Sequence, residues 1–210
     1  MEFIDWYTYY VLHLDELIDY ILERFGTWIY VILFGIIFAE TGFIIFSFLP
    51  GDSLLFAAGT FAGLGELNIW LLVVGFFLAA TLGDMLNFTI GRYCGQMRWV
   101  RRMVNKKNMA KAQHFFETYG GITVLLARFM PVLRSLIPFV AGASEMRYRY
   151  FMFYNMLGAL IWGVGCTVLG YFLGTIPWVQ DNFMLVIIAI MFTTIIPPIY
   201  AMIKARTRKR

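Results

Sequence analysis

Four ionisable side chains stand in stretches that otherwise read almost wholly apolar: Glu40, Asp52, Arg128 and Arg134. A charge at the centre of a bilayer costs about 2.5–3.5 kcal/mol on insertion scales, so four isolated ones would cost on the order of 10 kcal/mol. They must pair, take up protons or face water, and the residues leave two readings open. In one, two acids and two arginines form salt bridges that lock the fold; losing one partner of a buried pair is costly whatever else the pair does. In the other, they build a central polar site. Arginine offers a planar, bidentate fork that suits phosphate, and a carboxylate in apolar surroundings can exchange a proton near neutral pH. Arg128 and Arg134 are then the candidates for holding a substrate phosphate, and Glu40 and Asp52 for coupling its movement to protons. Asp84 is either a third element of that site or a helix-packing partner. Ser53 and Ser135, each beside a site charge, are further polar candidates.

Other chemistry lacks its parts. His13 and His114 sit in an acidic and a basic stretch, without metal-ligand company. Ser53 and Ser135 have no base near them in sequence, so a nucleophile has nothing to rest on. Cys94 and Cys166 give neither a disulfide framework nor metal spacing. The expectation is a transporter rather than an enzyme, with no catalytic residue, metal or cofactor.

The elements that position these charges follow from hydropathy. The chain of 210 residues is 60% hydrophobic and 14% charged, with a mean hydropathy of +0.72. Soluble domains carry roughly 25% charged residues. No charge occurs from Tyr150 to Gln180 or from Asn182 to Ile203, and each run exceeds the ~20 residues a spanning helix needs. This is an all-α integral membrane protein forming one membrane domain over 1–210. Residues 1–26 read as an amphipathic helix. Residues 27–64 hold a helix and a first re-entrant hairpin, broken at Pro50 and Gly51. A transmembrane helix follows at 65–95, then a cytoplasmic amphipathic segment at 96–118. A second re-entrant hairpin at 119–146 is broken at Pro131 and Pro138. Transmembrane helices at 148–176 and 183–204 precede a basic tail at 205–210. Broken backbone at membrane depth is tolerated where protein buries it or water reaches it, which suits hairpins that carry charges.

Charge asymmetry sets the expected orientation. Six acids lie in the first 23 residues, seven bases between Arg92 and Lys111, and five more from Lys204 to Arg210. Cytoplasmic flanks collect Lys and Arg, which puts 92–118 and the C-terminus in the cytoplasm. Basic flanks beside spans read as topology signals, so no nucleic-acid partner is expected; oligomerisation is left open.

An internal repeat is visible. Asp52-Ser53-Leu54-Leu55-Phe56-Ala57-Ala58-Gly59 aligns with Arg134-Ser135-Leu136-Ile137 and Phe139-Val140-Ala141-Gly142, with Pro138 as one inserted residue. Gly91 and Gly95 align with Gly170 and Gly174, and Ala80 with Ala159. Each half is a hairpin plus a helix, and the expected orientation gives the halves inverted topology, a transporter signature.

Phe38-Ala39-Glu40-Thr41-Gly42, Phe48-Leu49-Pro50-Gly51-Asp52-Ser53-Leu54-Leu55, Gly83-Asp84, Ile90-Gly91-Arg92, Ala127-Arg128-Phe129-Met130-Pro131-Val132-Leu133-Arg134 and Phe139-Val140-Ala141-Gly142 together resemble the bacterial DedA family. The likeness runs on through Gly170–Pro177 and Val179–Asn182; Phe88 stands where the family often has Tyr. The resemblance implies a relative of lipid scramblases with two facing re-entrant hairpins in the bacterial inner membrane. It puts the family's essential acids on Glu40 and Asp52 and its essential arginines on Arg128 and Arg134. It implies membrane lipids as partners, undecaprenyl phosphate above all, together with protons. The alternative it implies is a proton-coupled small-ion or drug antiporter that supports membrane potential and pH homeostasis.

Overall fold

The computed structural model describes residues 26–46, 51–94, 120–144, 146–183, 185–186 and 189–190. The expected amphipathic helix, Pro50, the segment 96–118, the basic tail and most of the C-terminal helix lie outside the described residues. All regular structure among the described residues is helical.

The first half consists of α1 (Trp28–Gly42), a 3₁₀ turn (Ile44–Phe46), α2 (Gly51–Gly63) and α3 (Ile69–Cys94). Asn68 caps α3: its Oδ1 accepts from the backbone N–H groups of Trp70 and Leu71 at 2.9 and 3.3 Å, satisfying two of the orphan donors of a helix start. Gly65, at φ +92°, takes the left-handed backbone that follows α2. The second half has α4 (Ile122–Ala127), α5 (Pro131–Arg134), α6 (Leu136–Ala143) and α7 (Tyr148–Ala159). A π-helical segment (Leu160–Val164) joins α7 to α8 (Gly165–Leu173), and α9 (Pro177–Asp181) follows.

Ile69–Tyr93 and Tyr148–Leu173, 25 and 26 residues long, are each apolar and long enough to cross a bilayer. Both carry apolar residues outward: Leu71, Val74, Leu78 and Leu82 on one, Phe153, Met156, Leu160, Leu169 and Phe172 on the other. Exposed apolar stripes of that length suit lipid rather than water. α1 is apolar too but has only 15 residues, too few to span.

The arms of the two halves are exchanged. α1 lies along α3: the Tyr30 hydroxyl accepts from Asn68 N at 2.8 Å near their starts, and Gly42 meets Gly83 and Leu86 at the end of α1. Gly83 is about 21 Å of helix rise from Ile69, so α1 ends at mid-height on α3. α2 then packs on α8, in the other half. A Cβ on Gly59 would overlap the carbonyl of Thr167, and one on Gly170 would overlap the carbonyl of Phe56. In the same way α4 lies along α7, and α6 packs on α3. A Cβ on Gly142 would overlap the Phe88 carbonyl, and one on Gly91 that of Phe139. The pairs Phe56–Gly170 and Phe139–Gly91 join positions that the sequence repeat aligns. These glycines let backbones approach closely, the role small residues have between membrane helices.

One of the expected chain breaks acts differently, while Gly51 does stand where α2 begins. Pro138 lies in the first turn of α6, where the amide it lacks would have had no intrahelical partner. The chain breaks instead between Ala127 and Pro131 and at Ser135, with Pro131 at the first position of α5. Gly51 has no positive φ; it is needed for space, because a Cβ there would run into the Glu40 carboxylate.

Candidate functional site

The charged residues meet where the exchanged arms end. One apolar cluster joins α1, α2 and α3 to Ala159 and Trp162. A second joins Phe88 to α4, α6 and α7. On α3 the first cluster runs as far as Ala80 and the second begins at Phe88, so Asp84 falls between them. Glu40, Asp84, Arg128 and Arg134 are all buried. Unpaired charges there would be prohibitive, and the structure pairs them.

Arg134, at the end of α5, reaches both Glu40 and Asp52. Its Nη2 stands 2.9 Å from Glu40 Oε1 and its Nη1 donates to Asp52 Oδ1 at 3.4 Å. Glu40 Oε1 also accepts from the Gly51 amide at 3.3 Å; Gly51 opens α2, where a carboxylate is favoured by the free N–H groups. Asp52 takes a further, shorter bond of 2.6 Å from the indole N–H of Trp162. The Trp162 ring lies under the Arg134 guanidinium at 4.4 Å, a cation–π contact. One tryptophan thus holds the arginine by its face and the arginine's carboxylate by its edge.

Arg128 has a different partner. Its Nη2 donates to Asp84 Oδ2 at 2.5 Å and to Asn155 Oδ1 at 2.7 Å. Asn155 Nδ2 is fixed in turn by the Thr81 carbonyl at 3.0 Å. The guanidinium stands 5.7 Å from the same Trp162 ring, so both arginine clusters border one side chain. Asn87 ties the halves together beside them: its Nδ2 donates to Ser135 O at 2.6 Å and to Thr41 O at 3.3 Å.

The site holds three carboxylates (Glu40, Asp52, Asp84) against two guanidinium groups. Glu40 and Asp52 share one arginine, and a proton or a cation would neutralise the odd negative charge. Asp52 is the wettest member, with 18% of its side chain exposed against 1% for Glu40. Glu40 Oε2, Arg128 Nε and Ser53 Oγ are buried without a hydrogen-bond partner among the described residues. Buried polar atoms of this kind need a partner, from water or from a ligand.

Residues 49–172 match the VTT domain family. Protein DedA of Escherichia coli K12 is 42% identical over 209 residues, 97% of this chain and 95% of that protein. The chain belongs to the DedA family. Inner membrane protein YghB of the same organism is 34% identical over 158 residues, 73% of this chain and 72% of its own length. An uncharacterized membrane protein of Mycobacterium tuberculosis H37Rv is 38% identical over 180 residues, 83% and 79% of the two chains. No solved structure matches. With this kinship and its two apolar spans, this DedA-family protein is a membrane protein.

The structure brings Glu40, Asp52, Arg128 and Arg134 together, with Asp84 as the partner of Arg128. Ser53 lies buried on α2 beside Asp52, and Ser135 joins through the carbonyl that accepts from Asn87. Sequence reading missed Trp162, Asn155 and Asn87. Asn155 and Asn87 carried a usable signal, since an amide inside a long apolar run needs a partner just as a charge does. Trp162 did not stand out, because aromatic residues are common at membrane surfaces. It lies in the π-helical segment, and such bulges are frequent at functional sites.

Proposed function

We propose that this protein is a flippase that moves a phosphate-bearing lipid, undecaprenyl phosphate or one like it, across the bacterial inner membrane, coupled to protons. The observation that carries the reading is the convergence of two guanidinium groups from one half on three carboxylates from the other, with Trp162 bordering both arginines. A guanidinium can exchange a carboxylate partner for a phosphate, since both present oxygens to the same planar fork. In this reading Arg128 and Arg134 take the phosphate when it arrives. Glu40 and Asp52, released from Arg134, take up protons. Neutralising the acids as the anion enters keeps the buried charge low.

The architecture in this reading is an inverted repeat of re-entrant hairpins. Its support is that α1 stops at mid-height on α3, that α2 leads back towards the start of α3, and that Gly63 lies against Tyr171, late in the other long helix, and Thr175 just beyond its end. Gly142 lies likewise against Phe88 and Arg92, late in α3. The hairpins would then enter from opposite leaflets, the second from the cytoplasm, where the C-terminus also lies. Inverted repeats with broken helices meeting at the midplane are transporter architecture.

One observation favours a second reading. Both arginines are already paired with carboxylates, as expected if they hold the fold while Glu40 and Asp52 carry protons or small ions in an antiporter. Reconstitution into liposomes with a leaflet-selective assay for undecaprenyl phosphate separates the two. Lipid movement lost in Glu40→Gln and Asp52→Asn, in folded protein, supports the flippase. Proton-coupled ion flux without lipid movement supports the antiporter.

A further inference from the structure

At the base of the second half, Arg147, Arg149, Tyr150 and Phe153 line an open cleft of about 470 Å³. Both arginines are exposed, and neither has an ion pair among the described residues. Exposed Arg92 belongs to the same end, its amide lying beside Gly142. Exposed Tyr93, Tyr148 and Tyr150 ring this end, the aromatic belt expected where a span meets the headgroups. The floor of the cleft is built rather than loose. Tyr154 packs edge-on against Tyr150 at 5.0 Å and against Phe153 at 5.4 Å. Gly121 fits against both tyrosines so closely that a Cβ there would strike their rings.

We infer that this cleft seats the phosphate headgroup of an anionic membrane lipid, held by Arg147 and Arg149, with the start of its hydrocarbon chain against Tyr150 and Phe153. Charge complementarity selects the occupant. Two guanidinium forks at headgroup depth match a phosphate, while the aromatic floor matches the chain below it and offers nothing to a free anion. The counterpart in the first half shows that the chemistry belongs to these residues and not to the fold. An alignment that places Gly91 on Gly170 puts Leu71 on Tyr150 and Gly75 on Tyr154. The groove lined there by Tyr30, Phe34, Leu71 and Gly75, of about 240 Å³, has no cation in its lining.

The seat also lies at the head of a lane. Tyr150, Tyr154, Gly158 and Trp162 recur every fourth residue, each a neighbour of the next on the helix surface. Gly158 lies directly against the Arg128 side chain, about 12 Å of helix rise below Tyr150. A headgroup held at Arg147 and Arg149 therefore waits one short passage from the buried arginines. The purpose of the seat rests on the flippase reading; its binding does not.

The test uses purified full-length protein and thermal melts with dioleoyl phosphatidate, dioleoyl phosphatidylcholine or inorganic phosphate. Phosphatidate should raise the melting temperature of the wild type, and the other two should not. In Arg147→Gln/Arg149→Gln, both on the surface, the unliganded melt should be unchanged. Half-saturation by phosphatidate should be roughly 30-fold weaker, at about 1 kcal/mol per interfacial arginine. An unaltered phosphatidate response in the double variant overturns the seat. An equal response to inorganic phosphate overturns the lipid as its source, and an equal response to phosphatidylcholine overturns the selectivity for anionic headgroups. The leaflet assay keeps the two readings apart. If the seat is right and the flippase wrong, the phosphatidate response is lost in the double variant although the wild type moves no lipid. If the seat is wrong and the flippase right, the double variant moves lipid and responds to phosphatidate as the wild type does.

Discussion

Asp84→Asn isolates the most deeply paired charge of the site. The substitution keeps the shape of the side chain and removes the charge that faces Arg128 Nη2 at 2.5 Å. Arg128 is then left as a buried cation with Asn155 Oδ1 at 2.7 Å and the Ala80 carbonyl at 3.4 Å. Breaking a buried pair by removing one partner costs about 3–5 kcal/mol. The two neutral acceptors that remain put the expected loss at the low end, about 3 kcal/mol. For a chain of this length that lowers the melting temperature by about 6–12 °C. Arg128→Gln should cost a similar amount, because it leaves Asp84 as the buried charge. The double variant Asp84→Asn/Arg128→Gln has neither charge and should recover most of the loss. The assay is a thermal double-mutant cycle in one detergent, with the leaflet assay run on the same four proteins. If Asp84→Asn melts within about 1 °C of the wild type, or if the two single losses simply add in the double variant, the pair is not the lock described here.

Three further outcomes are expected. Trp162→Phe keeps a ring beneath Arg134 but removes the 2.6 Å bond to Asp52; it should cost about 1.5–3 kcal/mol in melts, and the cost should shrink when Asp52→Asn is already present. Gly142→Ala forces a Cβ into the Phe88 carbonyl whereas Gly75→Ala meets open space; the first should destabilise by about 1–3 kcal/mol and the second should melt at or slightly above the wild type. A cysteine introduced at Asn108, in the basic stretch, should resist impermeant thiol reagents added to intact cells; efficient labelling from outside would reverse the proposed orientation.

The membrane class and the four-charge constellation were legible because both rest on composition within long apolar runs. The repeat was legible as well, and the structure gives it a physical cause: Phe56, Gly59, Phe139 and Gly142 match because each lies on an arm pressed against a long helix at a glycine-lined contact. The pairing inside the site was not legible. In sequence, two acids in one hairpin face two arginines in the other, which suggests two bridges between hairpins. Instead Arg134 takes both acids and Arg128 turns to Asp84 on α3, because the exchange of arms decides which helix each guanidinium meets. Pro138 misled for a local reason: proline reads as a break, yet in the first turn of α6 it fits the helix. Asn155 and Trp162 act through the register of α7 and its π-helical continuation, which apolar periodicity does not fix.

The exchange of arms also sets an order of events in time. Asp52 takes its bonds from Arg134 and Trp162, which lie 82 and 110 residues further along the chain. The carbonyl of Gly170, which accepts from Thr60, is 110 residues beyond it. At synthesis rates of about 5–20 residues per second, these partners emerge roughly 5–20 s after the first arm. During that interval Glu40 and Asp52 have left the ribosome without the cation that answers them. A chain interrupted before Trp162 would never supply the indole that answers Asp52. Settling of the first arm against its final partners therefore waits until the second long helix has been made, although the arm itself is made well before it.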